Sequence, residues 1–138
     1  MKNYKIFVAC DSTSTSKIRK IIKDTQNDKI KVGYKFGLEF LNSKKGRVIL
    51  SRLKNKITFA DLKLHDIPNT CVSTIKAIKD LNVNYLTIHI SSGFEALRAV
   101  KKNAGKTKII GVTILTSLDN KALKEIGFNM EVKRLVYH

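Results

Sequence analysis

Apolar and polar positions along the chain follow two alternating periods. Short runs rich in β-branched and aromatic residues alternate with stretches in which apolar residues recur every three or four positions. Runs of the first kind are typical of buried strands, and stretches of the second kind are typical of amphipathic helices. The pattern predicts five strands: 4–9, 30–36, one that begins at 57, 85–90 and 108–115. A helix follows each strand, the last being a weak one over 122–126, and the tail from about 127 has no clear assignment.

A βα unit repeated five times implies parallel strands joined by right-handed crossovers. Two α/β architectures fit this pattern: an open, flavodoxin-like doubly wound sheet and part of a (β/α)8 TIM barrel. The length of 138 residues favours the open sheet, because a complete barrel typically needs about 250 residues. The positions of the polar residues favour the barrel. They follow successive strands, and a barrel enzyme has its active-site residues together at the carboxyl ends of its strands. These residues are Asp11, Asp61 with Lys63, His89 and Thr116. We therefore expect one domain over 1–138 that contains about five βα units of a TIM barrel.

The stretch 57–70, ITFADLKLHDIPNT, combines strand character with an unusual concentration of charge. Its apolar strand carries Asp61 and Lys63 near the end, with Asp66 just beyond it and the only proline of the chain, Pro68, after that. Because the side-chain period of a strand is two, Asp61 and Lys63 share one face. Pro68 suits the first turn of a helix, where its missing N–H costs nothing. The sequence therefore predicts an acid and an amine side by side at the end of the third strand.

Composition restricts the class of protein further. A hydrophobic share of 43% with one proline indicates a globular chain. No apolar run approaches the roughly 18 residues that a membrane-spanning helix needs, and the amino terminus leads directly into a strand. Cys10 and Cys71 have neither metal-ligand spacing nor the density of a disulfide scaffold, so we expect reduced, buried thiols and no metal. We expect a cytoplasmic protein that does not bind a membrane.

The formal net charge of +16 allows a basic nucleic-acid-binding module as an alternative function. The lysines are scattered over nearly every predicted helix and loop, without an arginine-rich stripe or an aromatic RNA-binding pattern. This distribution favours a solvated basic surface, which would still attract a phosphorylated small molecule.

The segment DLKLHDIPNT, from Asp61 to Thr70, resembles the D-x-K-x-x-D-I-P-x-T motif of the orotidine 5′-phosphate decarboxylase family. Other segments resemble that family in the same order: VACD ending at Asp11, KVG beginning at Lys31, IHISSG with His89 and VTILTS with Thr116. The resemblance extends to about Asn120. It implies a TIM barrel, no cofactor, and loss of CO2 from C6 of orotidine 5′-phosphate to give UMP in de novo pyrimidine synthesis.

The resemblance also implies roles by position. Lys63 would donate a proton to C6, flanked by Asp61 and Lys31, which would also contact the substrate. Lys35 would replace Lys31 if the second strand had a different register. Asp66 would reach into the site of the other subunit of a homodimer. Asp11 would contact the ribose, and Thr70 would contact the ribose side from the other subunit. Thr116 would contact the pyrimidine.

Each of these residues also has a simpler structural interpretation. Asp61 and Lys63 could form a salt bridge at a strand end, and Asp66 and Asp11 could cap helices. Together with a lysine inside the second strand, they favour a reaction site. His89 is expected to support the strand ends by hydrogen bonds rather than to act as an acid or base.

The resemblance ends before the last three βα units of the family's barrel, which carry its phosphate-binding segments. We therefore expect an amino-terminal portion of the barrel that is weak or inactive alone, unless a complementing carboxyl-terminal chain supplies the remaining strands. A non-catalytic relic or assembly partner of the family is the alternative.

Overall fold

A computed structural model describes residues 5–53 and 55–137. These residues form one five-stranded sheet with helices between the strands. The strands are β1 (Lys5–Ala9), β2 (Lys31–Gly37), β3 (Ile57–Leu64), β4 (Tyr85–His89) and β5 (Lys108–Val112). The α-helices are α1 (Thr15–Asp24), α2 (Leu38–Asn42), α3 (Gly46–Arg52), α4 (Pro68–Ala77), α5 (Phe94–Asn103), α6 (Asn120–Glu125) and α7 (Val132–Tyr137). Short 3₁₀ turns lie at Lys79–Leu81 and Ile90–Ser92. None of the described helices is long and apolar enough to span a membrane.

The order of the strands in the sheet is their order in the sequence, β1-β2-β3-β4-β5, and neighbouring strands are parallel. A flavodoxin-like doubly wound sheet would have the order 2-1-3-4-5. Consecutive order is that of a barrel wall. The prediction of a partial (β/α)8 barrel is therefore confirmed, and the doubly wound alternative is excluded.

The predicted elements are present with shifted ends. β2 continues through Gly37, one residue beyond its predicted end. β5 ends at Val112, and residues 113–119 are not paired in the sheet. The tail that had no assignment contains α7. Tyr4, the predicted start of the first strand, lies outside the described residues.

The main core lies between one face of the sheet and the helices. The helices contribute residues four positions apart, such as Ile18 and Ile22 on α1 and Cys71 and Ile75 on α4. This spacing places both members of each pair on one side of a helix. The strands contribute alternate residues, among them Tyr34 and Phe36 of β2 and Leu86 and Ile88 of β4. The residues between them therefore lie on the other face of the sheet.

That second face carries an aromatic cluster. Phe7 packs edge to face against Phe59 and Tyr85, with ring centroids 5.3 and 5.2 Å apart. Gly33 lies beside Phe7, and a Cβ at this position would be 2.6 Å from a carbon of the Phe7 ring. A residue without a side chain is therefore needed at position 33. Charged and polar residues continue the same face at the carboxyl ends of the strands.

Candidate active site

Asp61 is the centre of a polar cluster at the carboxyl ends of β2, β3 and β4. Its Oδ2 atom accepts hydrogen bonds from Lys35 Nζ at 2.9 Å and from Lys63 Nζ at 2.8 Å. Its Oδ1 atom accepts a hydrogen bond from the Thr87 hydroxyl at 3.0 Å. Asp61 is only 6% exposed, whereas both lysine side chains remain partly accessible to solvent. A buried carboxylate thus holds two accessible ammonium groups close together, as the sequence predicted for Asp61 and Lys63.

The carboxylate of Asp61 is held in its charged form. Burial alone would raise its pKa, but hydrogen bonds from Lys63, Lys35 and Thr87, with the charge of Lys35, outweigh burial. The pKa of Asp61 therefore lies below its ordinary value of 3.8. At neutral pH the cluster presents an anion between two cations.

An irregularity in β3 forms the site. The ladder pairs Ala60 with Leu86 and next pairs Leu64 with Ile88, so β3 advances four positions while β4 advances two. Within this bulge Lys63 has a φ of 47°, in the left-handed region that costs a residue with a side chain about 1–2 kcal/mol. The bulge places Lys63 on the same side of the sheet as Asp61. The alternation of a regular strand predicts the same placement, but the backbone of β3 is not regular here.

The placement predicted for Lys31 is wrong. Lys31 is the first residue of β2 and is exposed, whereas the residue of β2 that pairs with Asp61 is Gly37, six positions further along. At about 3.3 Å per residue, these two positions on β2 are about 20 Å apart. Lys35 lies two positions before Gly37 on the same face and occupies the place that had been assigned to Lys31. The strand contains two K-x-G triplets, KVG and KFG, and the sheet register selects the second.

Asp11 lies at the same edge of the sheet. It follows β1, and a Cβ built on Gly37 would be 3.7 Å from Asp11 Oδ1. Ser14 rather than Asp11 caps α1, since the Ser14 hydroxyl accepts a hydrogen bond from the Lys17 N–H. Within the part of the chain that the structure describes, the Asp11 side chain has no hydrogen-bond partner, and its contact with a ribose stays a prediction.

Three of the predicted residues lie apart from the cluster. Asp66 is exposed, and its Oδ1 atom accepts a hydrogen bond from the Ile67 N–H at 2.7 Å. Thr70 is exposed in the first turn of α4, whose N-cap is Ile67 rather than Asp66. Thr116 is exposed in a turn beyond the end of β5. The structure brings none of the three to Asp61 of the same chain, and their roles stay predictions.

His89 ends β4 and packs against a second histidine. The ring centroids of His89 and His65 are 4.9 Å apart, with the ring planes inclined by 31°. Burial, followed by the charges of His65 and Lys63, lowers the pKa of His89 from 6.5. His65 Nε2 lies 3.3 Å from the Ser91 hydroxyl. His89 is thus a neutral ring beside the cluster, and its supporting role stays a prediction.

Thr87 was not predicted from the sequence. It is two positions before His89 in the segment YLTIH, so the side-chain period of a strand places it on the same face as His89. Both cysteines are buried and free, as expected. Burial, together with the charge of Asp11, raises the pKa of Cys10 to about 11. Among residues 5–53 and 55–137, no group of three or more His, Cys, Asp or Glu side chains could hold a metal ion.

Comparison with known proteins agrees with this geometry. The model of the Orotidine 5'-phosphate decarboxylase / HUMPS family matches residues 4–138. The orotidine 5′-phosphate decarboxylase of Wolbachia sp. subsp. Brugia malayi is 48% identical over 120 residues, which are 83% of this chain and 52% of that protein. The enzyme of the same name from Carboxydothermus hydrogenoformans is 37% identical and is matched over 96% of this chain and 58% of its own length. The chain thus spans somewhat more than half the length of these curated relatives.

Solved structures show the same likeness. The crystal structure of orotidine 5′-phosphate decarboxylase from Lactobacillus acidophilus superimposes with a TM-score of 0.84 at 28% identity, covering 96% of this chain and 63% of that one. The comparisons do not favour a basic nucleic-acid-binding module or a non-catalytic relic. The resemblance carried by DLKLHDIPNT therefore holds over nearly the whole sequence, and the chain belongs to the orotidine 5′-phosphate decarboxylase / HUMPS family.

Proposed function

We propose that the chain carries the reaction centre of an orotidine 5′-phosphate decarboxylase, which converts orotidine 5′-phosphate to UMP and CO2 in pyrimidine synthesis. The observation that carries this proposal is the Lys35–Asp61–Lys63 array, in which one buried carboxylate oxygen lies within 2.9 Å of two ammonium groups. The array lies at the carboxyl ends of parallel strands, where barrel enzymes keep their chemistry. A relative with this name is 48% identical over 120 residues.

The charges of the array suit decarboxylation without a cofactor. The Asp61 anion, beside the substrate carboxylate, disfavours the bound ground state, and loss of CO2 removes that repulsion. As the bond between C6 and the carboxyl group breaks, its electron pair stays on C6, where the ammonium groups of Lys63 and Lys35 stabilise it. Lys63 then donates a proton to form the C6–H bond of UMP, and its amine recovers a proton from water.

The other assignments to the substrate complete this proposal. Asp11 binds ribose hydroxyls, which agrees with the position of its carboxylate at the edge of the sheet near Gly37. Thr116 binds the pyrimidine, and Thr70 binds the ribose side from a second subunit.

The proposal includes a homodimer in which Asp66 enters the partner's site. Asp66 is exposed and does not contact the Asp61 cluster of its own chain, so its carboxylate is available to a second copy. Two large apolar side chains accompany it at the amino ends of the neighbouring helices α4 and α5: Ile67 is 66% exposed and Phe94 is 71% exposed. Apolar surface of this kind favours association.

A complementing carboxyl-terminal chain is also part of the proposal. In the part of the chain that the structure describes, β1 and β5 are the edges of the sheet. Ile6 on β1 is 50% exposed, and Ile110 on β5 is exposed as well. Open parallel edges with apolar side chains favour pairing with further strands. A cytoplasmic location agrees with the two free, buried thiols.

The test is an assay of the purified chain for release of CO2 from carboxyl-labelled orotidine 5′-phosphate. It should be run alone and with the carboxyl-terminal part of the Carboxydothermus hydrogenoformans relative as a complementing chain. Lys63→Ala is expected to abolish turnover, because it removes the proton donor. Lys31→Ala is the matched control, since it removes an exposed lysine of the same sheet far from Asp61.

Turnover that survives Lys63→Ala unchanged would contradict the proposed mechanism. Absence of turnover in both preparations, together with UMP binding that Lys63→Ala does not change, would indicate a non-catalytic member of the family.

A further inference from the structure

The hydroxyl of Thr87 connects the two parts of the reaction centre. It donates a hydrogen bond to Asp61 Oδ1 at 3.0 Å and accepts one from the Lys63 backbone N–H at 2.8 Å. Thr87 is buried, with 4% of its surface exposed, and lies on β4 opposite the bulge of β3. A threonine hydroxyl has one donor and two acceptor sites, so one side chain can satisfy both partners.

The first of these contacts determines the orientation of the carboxylate. Thr87 occupies Oδ1, and both ammonium groups bind Oδ2. Without a donor at Oδ1, the carboxylate could rotate about its terminal bond and offer one oxygen to each lysine. The lysines would then no longer converge on a single atom, and the spacing between their charges would change.

The second contact stabilises the backbone at Lys63. A residue with a side chain avoids a φ of 47° unless its surroundings hold it there. In a regular parallel ladder the Lys63 N–H would donate to a carbonyl of the neighbouring strand, but the register is interrupted between Ala60 and Leu64. The Thr87 oxygen supplies the acceptor that the ladder lacks.

We propose that Thr87 is a positioning residue of this site, which sets the separation and direction of the Lys35 and Lys63 ammonium groups through its bonds to Asp61 and to the Lys63 backbone. Its consequence for catalysis rests on the proposed decarboxylase function. The arrangement itself does not, because it concerns contacts within the free protein.

The test compares three variants of the whole chain. Thr87→Val keeps the shape of the side chain and removes the hydroxyl, and Thr87→Ser keeps the hydroxyl. Thr58→Val is the matched control: Thr58 is also a buried threonine on a strand of this sheet, and its hydroxyl lies 3.4 Å from Asn84 Oδ1, away from the Asp61 cluster. Two quantities are measured by NMR without any substrate: the pKa of the Asp61 carboxyl and the exchange rate of the Lys63 amide proton.

In Thr87→Val we expect the pKa of Asp61 to rise by about one unit, because the anion loses one of its donors. The Lys63 amide should exchange at least roughly tenfold faster, because its acceptor is gone. Thr87→Ser and Thr58→Val should retain the values of the unaltered chain. The proposal is overturned if Thr87→Val matches Thr58→Val in both quantities. If Thr87→Val does not fold, the unaltered chain still decides: the Thr87 hydroxyl proton must be protected from exchange with water, and an unprotected one overturns the proposal.

The catalytic consequence is measured on any preparation that turns over orotidine 5′-phosphate. Thr87→Val should lower kcat by about tenfold with a smaller effect on KM, since it disturbs positioning rather than binding. An active chain in which Thr87→Val behaves like Thr58→Val would overturn the proposal. Absence of turnover both with and without the complementing chain, alongside the expected NMR differences, would count against the proposed decarboxylase function and leave the positioning role of Thr87 supported.

Discussion

Lys35 Nζ lies 2.9 Å from Asp61 Oδ2, although the two residues are 26 positions apart in the sequence. The contact follows from the register of β2 and β3, which pairs Gly37 with Asp61. The lysine two positions earlier on the same face reaches the carboxylate from the neighbouring strand. Lys63 approaches the same oxygen from within β3 at 2.8 Å. Two strands therefore contribute one ammonium group each to a single buried acceptor.

Replacement of Lys35 by alanine should reduce decarboxylation far more than replacement of Lys31. Loss of one preorganised charge beside C6 is expected to lower kcat by about 10²–10³-fold. Lys31→Ala removes an equal charge from the opposite end of β2 and should leave kcat unchanged. Steady-state kinetics on the active preparation, with or without a complementing chain, decide between the two lysines. An equal loss in both variants would show that overall positive charge, and not position, supports the reaction.

Acid should destabilise the fold through Asp61. Its pKa in the folded chain lies below 3.8, so the unfolded chain binds this proton more readily. The stabilisation is therefore fully present above 3.8 and is lost as the pH falls through the lowered pKa. Urea unfolding measured across this range should show a shallower loss of stability in Asp61→Asn than in the unaltered chain. Asp24→Asn serves as the control, because the Lys20–Asp24 pair is exposed on α1 and contributes little. Identical pH profiles for Asp61→Asn and the unaltered chain would count against the charged cluster.

Sequence reasoning predicted the βα repeat, the parallel sheet and the pair of Asp61 and Lys63, because these depend on local periodicity. It misplaced the lysine of β2, because the segment contains two K-x-G triplets of the same parity and only pairing with β3 distinguishes them. Lys31 and Lys35 are an even number of positions apart, so they lie on the same face of the strand. The alternation does not say which of them lies level with Asp61. Strand register is a tertiary property that one segment does not contain.

The bulge at Lys63 shows a second limit of the sequence. Asp61 and Lys63 share a face as the period of two predicts, yet their backbone departs from a regular strand and the ladder is interrupted beside them. Nothing in the local pattern distinguishes a regular pair from a bulged one. Thr87, which stabilises the bulge from another strand, escaped the sequence reasoning, since its importance lies in contacts 24 and 26 positions away.

Mild acid should weaken the fold through His89 in a higher pH range. Burial and the nearby charges of His65 and Lys63 lower its pKa in the folded chain below 6.5, so the fold favours the neutral ring. This stabilisation is present above 6.5 and is lost as the pH falls through the lowered pKa. In His89→Gln, the free energy of unfolding should depend less on pH in this window than in the unaltered chain. His65→Gln should raise the pKa of His89 toward its ordinary value, as measured by NMR titration, because one source of repulsion is removed. A fall in that pKa would contradict the assigned cause.

A charge at Ile67 should separate the proposed homodimer. Ile67 follows Asp66 and is 66% exposed, and Phe94 is also exposed at the amino end of the adjacent helix α5. Burial of such a side chain between two subunits contributes about 1.5–3 kcal/mol, and an aspartate in its place would be costly to bury. Sedimentation equilibrium should therefore show a dimer for the unaltered chain and a monomer for Ile67→Asp. Val48→Asp is the matched control: Val48 is an exposed apolar residue on α3, a helix that contacts the 3₁₀ turn Lys79–Leu81 before β4. Only Ile67→Asp should change the mass measured by sedimentation equilibrium. In an active preparation it should also remove the contribution of Asp66 to the partner's site. If the unaltered chain is itself monomeric and Asp66→Asn does not change its activity, Asp66 has no role across subunits.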